Sequence, residues 1–296
     1  MPPRERPPRR TPRSVVYRRR LLAVAVLAAG FAAAWFAFAS IGGGSGNTHV
    51  TTTTALPPRP FRVVFPEGFT RQQMAARVAT VAKIAERERG KVPKLSSRRY
   101  LAATRGKRLQ PGFGNRRYAL EGFLFPATYD FTVKTIGAQL VAAQLKAFRR
   151  NWSKVDLGYA SSKNLTPYDV LTIASMVERE AAAPEERQLV AAVIYNRLHQ
   201  RMPLGIDATI RYGLKIPPTR AIRESELHSS NPYNTRTVPG LPPTPIANPG
   251  LASIQAAAHP AHVDYLYFVR KPDKKHHFFT ASADAFDRYK AEHGYG

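Results

Sequence analysis

Two acids two residues apart, Glu178 and Glu180, close an apolar run at residues 166–182, and their setting suits proton transfer. Leu171, Ile173, Ala174, Val177 and Ala181 recur at helical spacing and make a broad apolar stripe. Winding of about 100° per residue puts Glu178 and Glu180 on opposite shoulders of that stripe. Partial burial of a carboxyl raises its pKa, which a general acid near neutral pH requires. The same spacing also fits two solvated carboxylates, Glu178 paired with a nearby arginine and Glu180 with Arg187. A third acid, Glu121, stands alone in the aromatic run 119–131. Rings beside a carboxylate suit the apolar faces and hydroxyl rim of a sugar; the competing reading is a buried strand with Glu121 at its start.

The elements that must position these acids follow from caps and periodicity. Thr166 as N-cap, Pro167 at the first helical position and Asp169 as the capping-box acid start the helix that carries Glu178. Upstream, 61–65 alternates as a strand and Pro66-Glu67-Gly68 turns. Thr70 caps a helix with Met74, Val78, Val81 and Ala85 inward, and a second helix follows Ser96 with Tyr100 and Leu101 inward. Further helices are expected at 136–151, from Pro184 with Val190, Val193 and Ile194 buried, at 252–258 and at 282–292. Residues 263–269 and 276–280 read as a basic-tipped hairpin. Beyond residue 202 the stretches 205–213, 230–235 and the Pro-rich 240–250 read as loops presenting polar groups, a binding surface or a structural wrap. The fold class is α+β, a mixed helix and short-strand domain.

The N-terminus has a different character. Residues 1–20 carry eight Arg against one Glu and read as a disordered cytoplasmic tail. Residues 21–41 hold no charge and are long enough to cross about 30 Å of hydrocarbon, which predicts a single transmembrane helix. Its length exceeds the apolar core of a signal peptide, and Arg18, Arg19 and Arg20 keep the N-terminus inside. Residues 42–60, rich in Gly, Thr and then Pro, form a linker. The remainder is expected outside a bacterial plasma membrane.

Net charge is +25, of which the tail carries +7, leaving about +18 beyond it. Charge alone would suggest nucleic acid; the anchor argues against that partner and for anionic wall polymers or lipid. The chain has no cysteine, so disulfides, thiol chemistry and Cys-ligated metal are excluded. His259/His262 and His276/His277 are weak metal signals, because Pro260 breaks the first pair's helix and strand neighbours point to opposite faces; no metal or cofactor is expected.

A set of motifs then occurs in order: Leu120-Glu-Gly-Phe-Leu-Phe-Pro, Ala174-Ser-Met-Val-Glu-Arg-Glu180, Tyr195-Asn-Arg-Leu, Asp207-Ala-Thr209, Asn231-Pro-Tyr-Asn-Thr235, Gly240-Leu-Pro-Pro, Pro245-Ile-Ala-Asn-Pro-Gly250 and Ala256-Ala-Ala-His-Pro260. Together they resemble the endolytic murein transglycosylases, the MltG-type or YceG-like family. The resemblance implies an anchor, a small LysM-like subdomain at 61–105 and a catalytic domain at 106–296. It implies cleavage between N-acetylmuramic acid and N-acetylglucosamine in nascent peptidoglycan, the muramic acid's own C6 hydroxyl closing a 1,6-anhydro ring. It maps the catalytic acid onto Glu178, makes Glu121 and Glu180 supporting groups, and nominates Asp207, Thr209, Asn231, Tyr233 and Asn234 for the glycan cleft. Penicillin-binding proteins and the elongation or division machinery are the implied protein partners. Arg236, Thr244 and Gly205-Ile206 depart from the family pattern in loops and put subsite preference in doubt. Two other readings stay open: a muramidase, which needs a second carboxylate or activated water roughly 5 to 9.5 Å across the sugar, and a non-catalytic wall-binding scaffold.

Overall fold

The computed structural model describes residues 60–295 except 91, 109, 111, 115 and 116. The predicted tail, transmembrane helix and nearly all of the linker lie outside the described residues. Among the described residues no helix is long and apolar enough to cross a membrane.

The architecture is mixed α+β, helices with three short antiparallel ladders. Strand β1 (Phe61–Val64) pairs with β4 (Thr128–Phe131) in the register Phe61↔Phe131 to Val64↔Thr128. β2 (Lys107–Arg108) pairs with β3 (Arg117–Tyr118), and β5 (Tyr267–Arg270) with β6 (His277–Thr280). Only 128–131 of the aromatic run 119–131 is strand; Glu121 sits in the turn that precedes it.

Helices α1 (Arg71–Arg89), α2 (Ser97–Ala103) and α3 (Gly137–Trp152) form one half of the core with β1 and β4. Val63, Phe65, Met74, Tyr100, Phe123, Phe131, Phe148 and Leu171 are packed there. A ring cluster of Phe113, Phe123, Phe148 and Trp152 fills its lower end, with centroids 4.7 to 5.7 Å apart. The strand at 61–64 is therefore hydrogen-bonded and packed onto residues well beyond 105.

After the short α4 (Gly158–Ser162) comes α5 (Pro167–Glu180), the helix around which the rest is arranged. Its capping box forms: Asp169 N–H donates to Thr166 Oγ1 (3.2 Å) and Thr166 N–H to Asp169 Oδ2 (2.8 Å). Val170 to Val177 are all buried, a wider apolar surface than one stripe, because α5 faces two cores. Leu171 enters the first; Ile173, Ala174, Met176 and Val177 enter a second, with Val190 and Ile194 of α6 (Arg187–His199) and Ile254 and Ala257 of α9 (Leu251–Ala258). Helix α9 packs on α5 more extensively than any other element.

Two short helices, α7 (Asp207–Gly213) and α8 (Glu224–Leu227), interrupt the segment expected to be loop. Seven and four residues give too little periodicity to read locally. The hairpin starts at 267 rather than 263, because Val263 and Tyr265 turn their carbonyls to Asn196 Nδ2, both at 2.9 Å, instead of to a strand. Helix α10 (Ala283–Glu292) closes the chain, capped by Ser282 Oγ.

Candidate active site

Glu178 lies in the last turn of α5, half-buried, on the shoulder predicted from the helical wheel. Among the described residues it pairs with no arginine. Its Oε2 accepts the Gly250 N–H at 3.0 Å, and among the described residues Oε1 takes no hydrogen bond. Gly250 is the N-cap of α9, so the carboxylate is fixed on one oxygen by the end of the helix packed beside it. The loop before Gly250 is tied to α5 as well: Ile246 N–H donates to Ser175 Oγ (3.0 Å), which donates to the Thr172 carbonyl (2.7 Å).

A second carboxylate that periodicity could not reveal meets the same glycine. Glu67 lies in the turn after β1, and a Cβ added at Gly250 would run into its Oε1. The adjoining Gly68 approaches the Glu178 Cγ, a Cβ there lying 3.6 Å away, and its N–H donates to the Asn248 carbonyl at 3.0 Å. Partial burial, then the negative charge of Glu178, push the Glu67 carboxyl above its ordinary pKa, against an opposing pull from Arg187. Arg187, expected beside Glu180, thus faces Glu67; its Nε is buried without a hydrogen-bond partner among the described residues.

Glu121 is buried and surrounded by donors. Its Oε1 accepts Arg71 N–H (2.9 Å) and Asn248 Nδ2 (2.8 Å), and its Oε2 accepts the Tyr212 hydroxyl (3.0 Å). Loss of water outweighs these donors and pushes its pKa up to about 7. The Asn248 side chain also donates to the Phe69 carbonyl (2.8 Å) and accepts Leu124 N–H (2.9 Å). Glu121 and Asn248 therefore clamp three segments, 68–71, 121–124 and 246–250, in the frame that holds Glu178.

Glu180 occupies the other shoulder, its Oε1 accepting Ala208 N–H at 3.4 Å. Burial, and then the charge of Asp207, raise its pKa. Asp207 itself is exposed and bound to Arg236, with an Oδ1 to Nη2 distance of 2.6 Å, so the departure at position 236 supplies this acid's cationic partner.

A cavity of about 490 Å³ is lined by Thr70 and Gln73, by Arg179 of α5, by Arg211, Tyr212 and Lys215, and by Tyr233; Glu121 touches its lining through Tyr212 and Glu180 through Ala208, while Glu178 is not among its lining residues. The Tyr212 and Tyr233 rings lie 5.1 Å apart, and the Tyr233 hydroxyl is 2.8 Å from Thr244 Oγ1. Three cations and two rings suit a ligand with apolar faces and acidic substituents. Of the polar loop candidates, Tyr233 reaches this cavity. Asn231 braces the loop, its Oδ1 accepting Tyr233 N–H at 2.9 Å. Thr209 and Asn234 do not face a cleft: both are fully buried. Thr209 Oγ1 donates to the Ile206 carbonyl (2.6 Å) and sits 3.0 Å from Thr235 Oγ1. Asn234 Nδ2 donates to the carbonyls of Leu227 (2.9 Å) and Ser229 (2.7 Å). Asn234 goes inward because irregular backbone needs partners that no ladder supplies, and Thr209, in the first turn of α7, because its hydroxyl satisfies the Ile206 carbonyl at the start of that helix.

Among the described residues no group of three or more His, Asp or Glu could hold a metal ion. His276 is bound to Asp273 (2.8 Å) and Glu185 (3.3 Å), and His277 to Glu186 (2.7 Å), fastening β6 to the turn Pro184–Glu186.

Sequence and structure comparisons bear on the whole assembly. Residues 42–292 match the model of the YceG-like family. An endolytic murein transglycosylase of Streptococcus pneumoniae strain R6 is 38% identical over 183 residues, 60% of this chain and 33% of that protein. One of Bacillus subtilis strain 168 is 31% identical over 221 residues, 71% of this chain and 59% of that protein. The chain thus spans about a third of the pneumococcal relative's length and somewhat over half of the Bacillus one's. A YceG-like protein of Listeria monocytogenes, solved by crystallography, superposes with a TM-score of 0.64 at 28% identity, covering 77% of this chain and 76% of that one. With the family match extending over most of its length, this chain belongs to the YceG-like family.

Proposed function

We propose that this protein is an endolytic peptidoglycan lytic transglycosylase, cutting between N-acetylmuramic acid and N-acetylglucosamine to leave 1,6-anhydro ends. The observation that carries this is Glu178: a half-buried carboxyl fixed through one oxygen by Gly250 N–H, with its other oxygen free, next in sequence to Arg179, which lines a cavity of rings and cations. Curated relatives named endolytic murein transglycosylase support the choice of substrate and bond.

In this reading Glu178 protonates the departing glycosidic oxygen. The C1–O bond breaks through an oxocarbenium-like state, and the muramic acid C6 hydroxyl bonds to C1, returning a proton to the carboxylate. Tyr212 and Tyr233 offer apolar faces to a sugar ring, and Arg179, Arg211 and Lys215 offer charge to the lactyl or peptide carboxylates of the substrate. Glu121 and Glu180 support, the first through Asn248 and Tyr212, the second at the start of α7. Residues 21–41 anchor the chain as a single span with the N-terminus cytoplasmic; residues 61–105 act as a LysM-like module and 106–296 as the catalytic domain; synthases of the growth or division machinery are its protein partners.

A muramidase is the second reading, and the Glu67 carboxylate beside Glu178 is what favours it, because hydrolysis calls for a second acid near the first. Mass spectrometry of uncross-linked glycan strands treated with the full chain in detergent separates the readings. Anhydro-muramic ends, absent with Glu178→Gln, support transglycosylation; reducing ends support hydrolysis. Intact strands that still bind the protein would replace both with a wall-binding scaffold.

A further inference from the structure

Charge is unevenly distributed along the folded chain. Between residues 61 and 154 there are twenty Lys and Arg against five Asp and Glu; between 155 and 296 there are sixteen against fourteen. The large apolar side chains most exposed among the described residues, Val64, Ile84, Val92 and Ile136, all belong to the basic part. Two of them meet at one end of it. Lys94 N–H donates to the Val133 carbonyl at 3.0 Å, and Arg99 Nη1 donates to the Lys94 carbonyl at 3.3 Å. The backbone of Arg99 and Tyr100 lies so close to Gly137 that a Cβ there would be 2.8 to 2.9 Å away. Residues 92–99 and 133–137 therefore make one surface, with Lys94, Arg98, Arg99 and Lys134 exposed around Val92 (73% exposed) and Ile136 (41%). Neither segment contains an acid, and Glu86 and Glu88 just upstream in α1 are matched by Arg87 and Arg89. The chain enters the domain at this same end. Phe61, which opens β1, is registered on Phe131, whose strand runs on into 132–136, and the Arg89 guanidinium at the end of α1 lies over the Phe61 ring at 3.8 Å. The 19 residues of α1 span about 28 Å, and Thr70 and Gln73 at its other end line the cavity.

We propose that the surface formed by residues 92–99 and 133–137 docks on the anionic headgroups of the bilayer. This rests on the reading of residues 21–41 as an anchor, which tethers Phe61 to that bilayer through residues 42–60. Four neighbouring cations are attracted to a negatively charged lipid surface within a Debye length. Val92 and Ile136 lose contact with water on entering the boundary between headgroup and acyl chain, as the apolar face of an interfacial element does. A soluble anionic polymer would use the cations and leave both aliphatic side chains in water, so the combination of the two selects lipid. Docking at this end keeps the headgroups off the cavity, because the length of α1 lies between the two.

The full chain reconstituted into vesicles tests this. The sequence has no cysteine, so Val92→Cys takes a single environment-sensitive dye, and Ala283→Cys at the start of α10 gives a control in the charge-balanced part. In vesicles of phosphatidylcholine with phosphatidylglycerol, bromine-labelled acyl chains should quench the dye at 92 about fivefold more than in phosphatidylcholine alone, and its emission should shift to shorter wavelength. The dye at 283 should show neither change. Salt at about 0.5 M should remove the difference. The triple variant Lys94→Glu, Arg98→Glu, Lys134→Glu should remove it too, with the melting temperature and strand cleavage in detergent unchanged. Equal quenching in the two lipids, a signal that survives the triple variant, or an equal response at 283 overturns the proposal. A larger response at 92 to soluble polyphosphate than to anionic vesicles overturns it in favour of a wall polymer. Carbonate extraction reads the anchor separately. A chain that extracts overturns the anchor reading, and its flotation with anionic but not neutral vesicles still decides whether the surface binds lipid.

Discussion

The Glu178 carboxylate and the Gly250 amide, 72 residues apart in the chain, are joined by a 3.0 Å hydrogen bond that ties the end of α5 to the start of α9. Among the described elements these two helices make the most extensive packing contact, so Glu178 stands beside a well-packed helix pair.

Replacing the acid while keeping its hydrogen bond isolates its chemistry. Glu178→Gln can still accept from Gly250 through its amide oxygen, so the melting temperature should stay close to wild type. Strand cleavage should fall by about 10² to 10⁴, the range associated with loss of a general acid. Product release measured by mass spectrometry, set beside a thermal melt of the same sample, reads both.

Gly250→Ala tests the crowding at that amide. The new Cβ would displace the Glu67 carboxylate without touching the Glu178 hydrogen bond. A stability loss of about 1 to 3 kcal/mol is expected from overpacking, together with reduced cleavage at neutral pH. Gly122→Ala should cost stability too, since Gly122 has a φ of +87° and its Cβ would lie 2.7 Å from Pro245 Cγ.

Glu121 should make the fold more stable in mild acid. Its folded pKa of about 7 lies above the unfolded value of 4.5. Its contribution is therefore complete below about pH 4.5 and lost as pH rises through 7, by roughly 3 kcal/mol at full ionisation. Burial of Glu180 and Glu67 acts in the same direction. Denaturant melts at pH 5 and pH 8 should show wild type weaker at pH 8, and Glu121→Gln should narrow the gap. An unchanged gap would mean the carboxyl is ionised throughout.

His277 and Glu186 test a site remote from the cavity. Removing the ring by His277→Ala leaves Glu186 buried with only the residue 277 N–H as donor, at 2.9 Å. A loss of about 3 kcal/mol is expected, with the rate per folded molecule at permissive temperature unchanged.

Tyr233→Ala should raise KM about fivefold with a smaller effect on kcat, as one aromatic sugar contact is worth about 1 kcal/mol. Tyr233→Phe, which loses only the hydroxyl facing Thr244, should retain most of the affinity. Titration of glycan fragments by fluorescence checks both.

Local rules were sufficient for α5. The Thr166 cap, the Pro167 start, the Asp169 box and the placement of Glu178 on a helix shoulder are all properties of neighbours in sequence, and the structure has each of them. Helices α1, α3 and α10 were legible for the same reason, within a residue or two, while α6, expected from Pro184, begins at Arg187 after a 3-10 turn over Pro184–Glu186. Which shoulder acid meets another acid was not. Glu67 stands in a turn with no periodic signal, and it reaches Gly250, whose N–H binds Glu178, only because β1 pairs with β4 and the Asn248 loop binds residues 68 and 69. Inward or outward direction beyond residue 202 was equally hidden: Thr209 and Asn234 read as polar surface, and the tertiary structure buries them, Thr209 in the first turn of α7 on the Ile206 carbonyl and Asn234 where irregular backbone needs hydrogen-bond partners. Composition and spacing determined the helices and left Glu178 and Glu180 as equal candidates on the shoulders of one of them; long-range pairing decided the neighbours of each, since contact between distant segments depends on packing that no local pattern encodes.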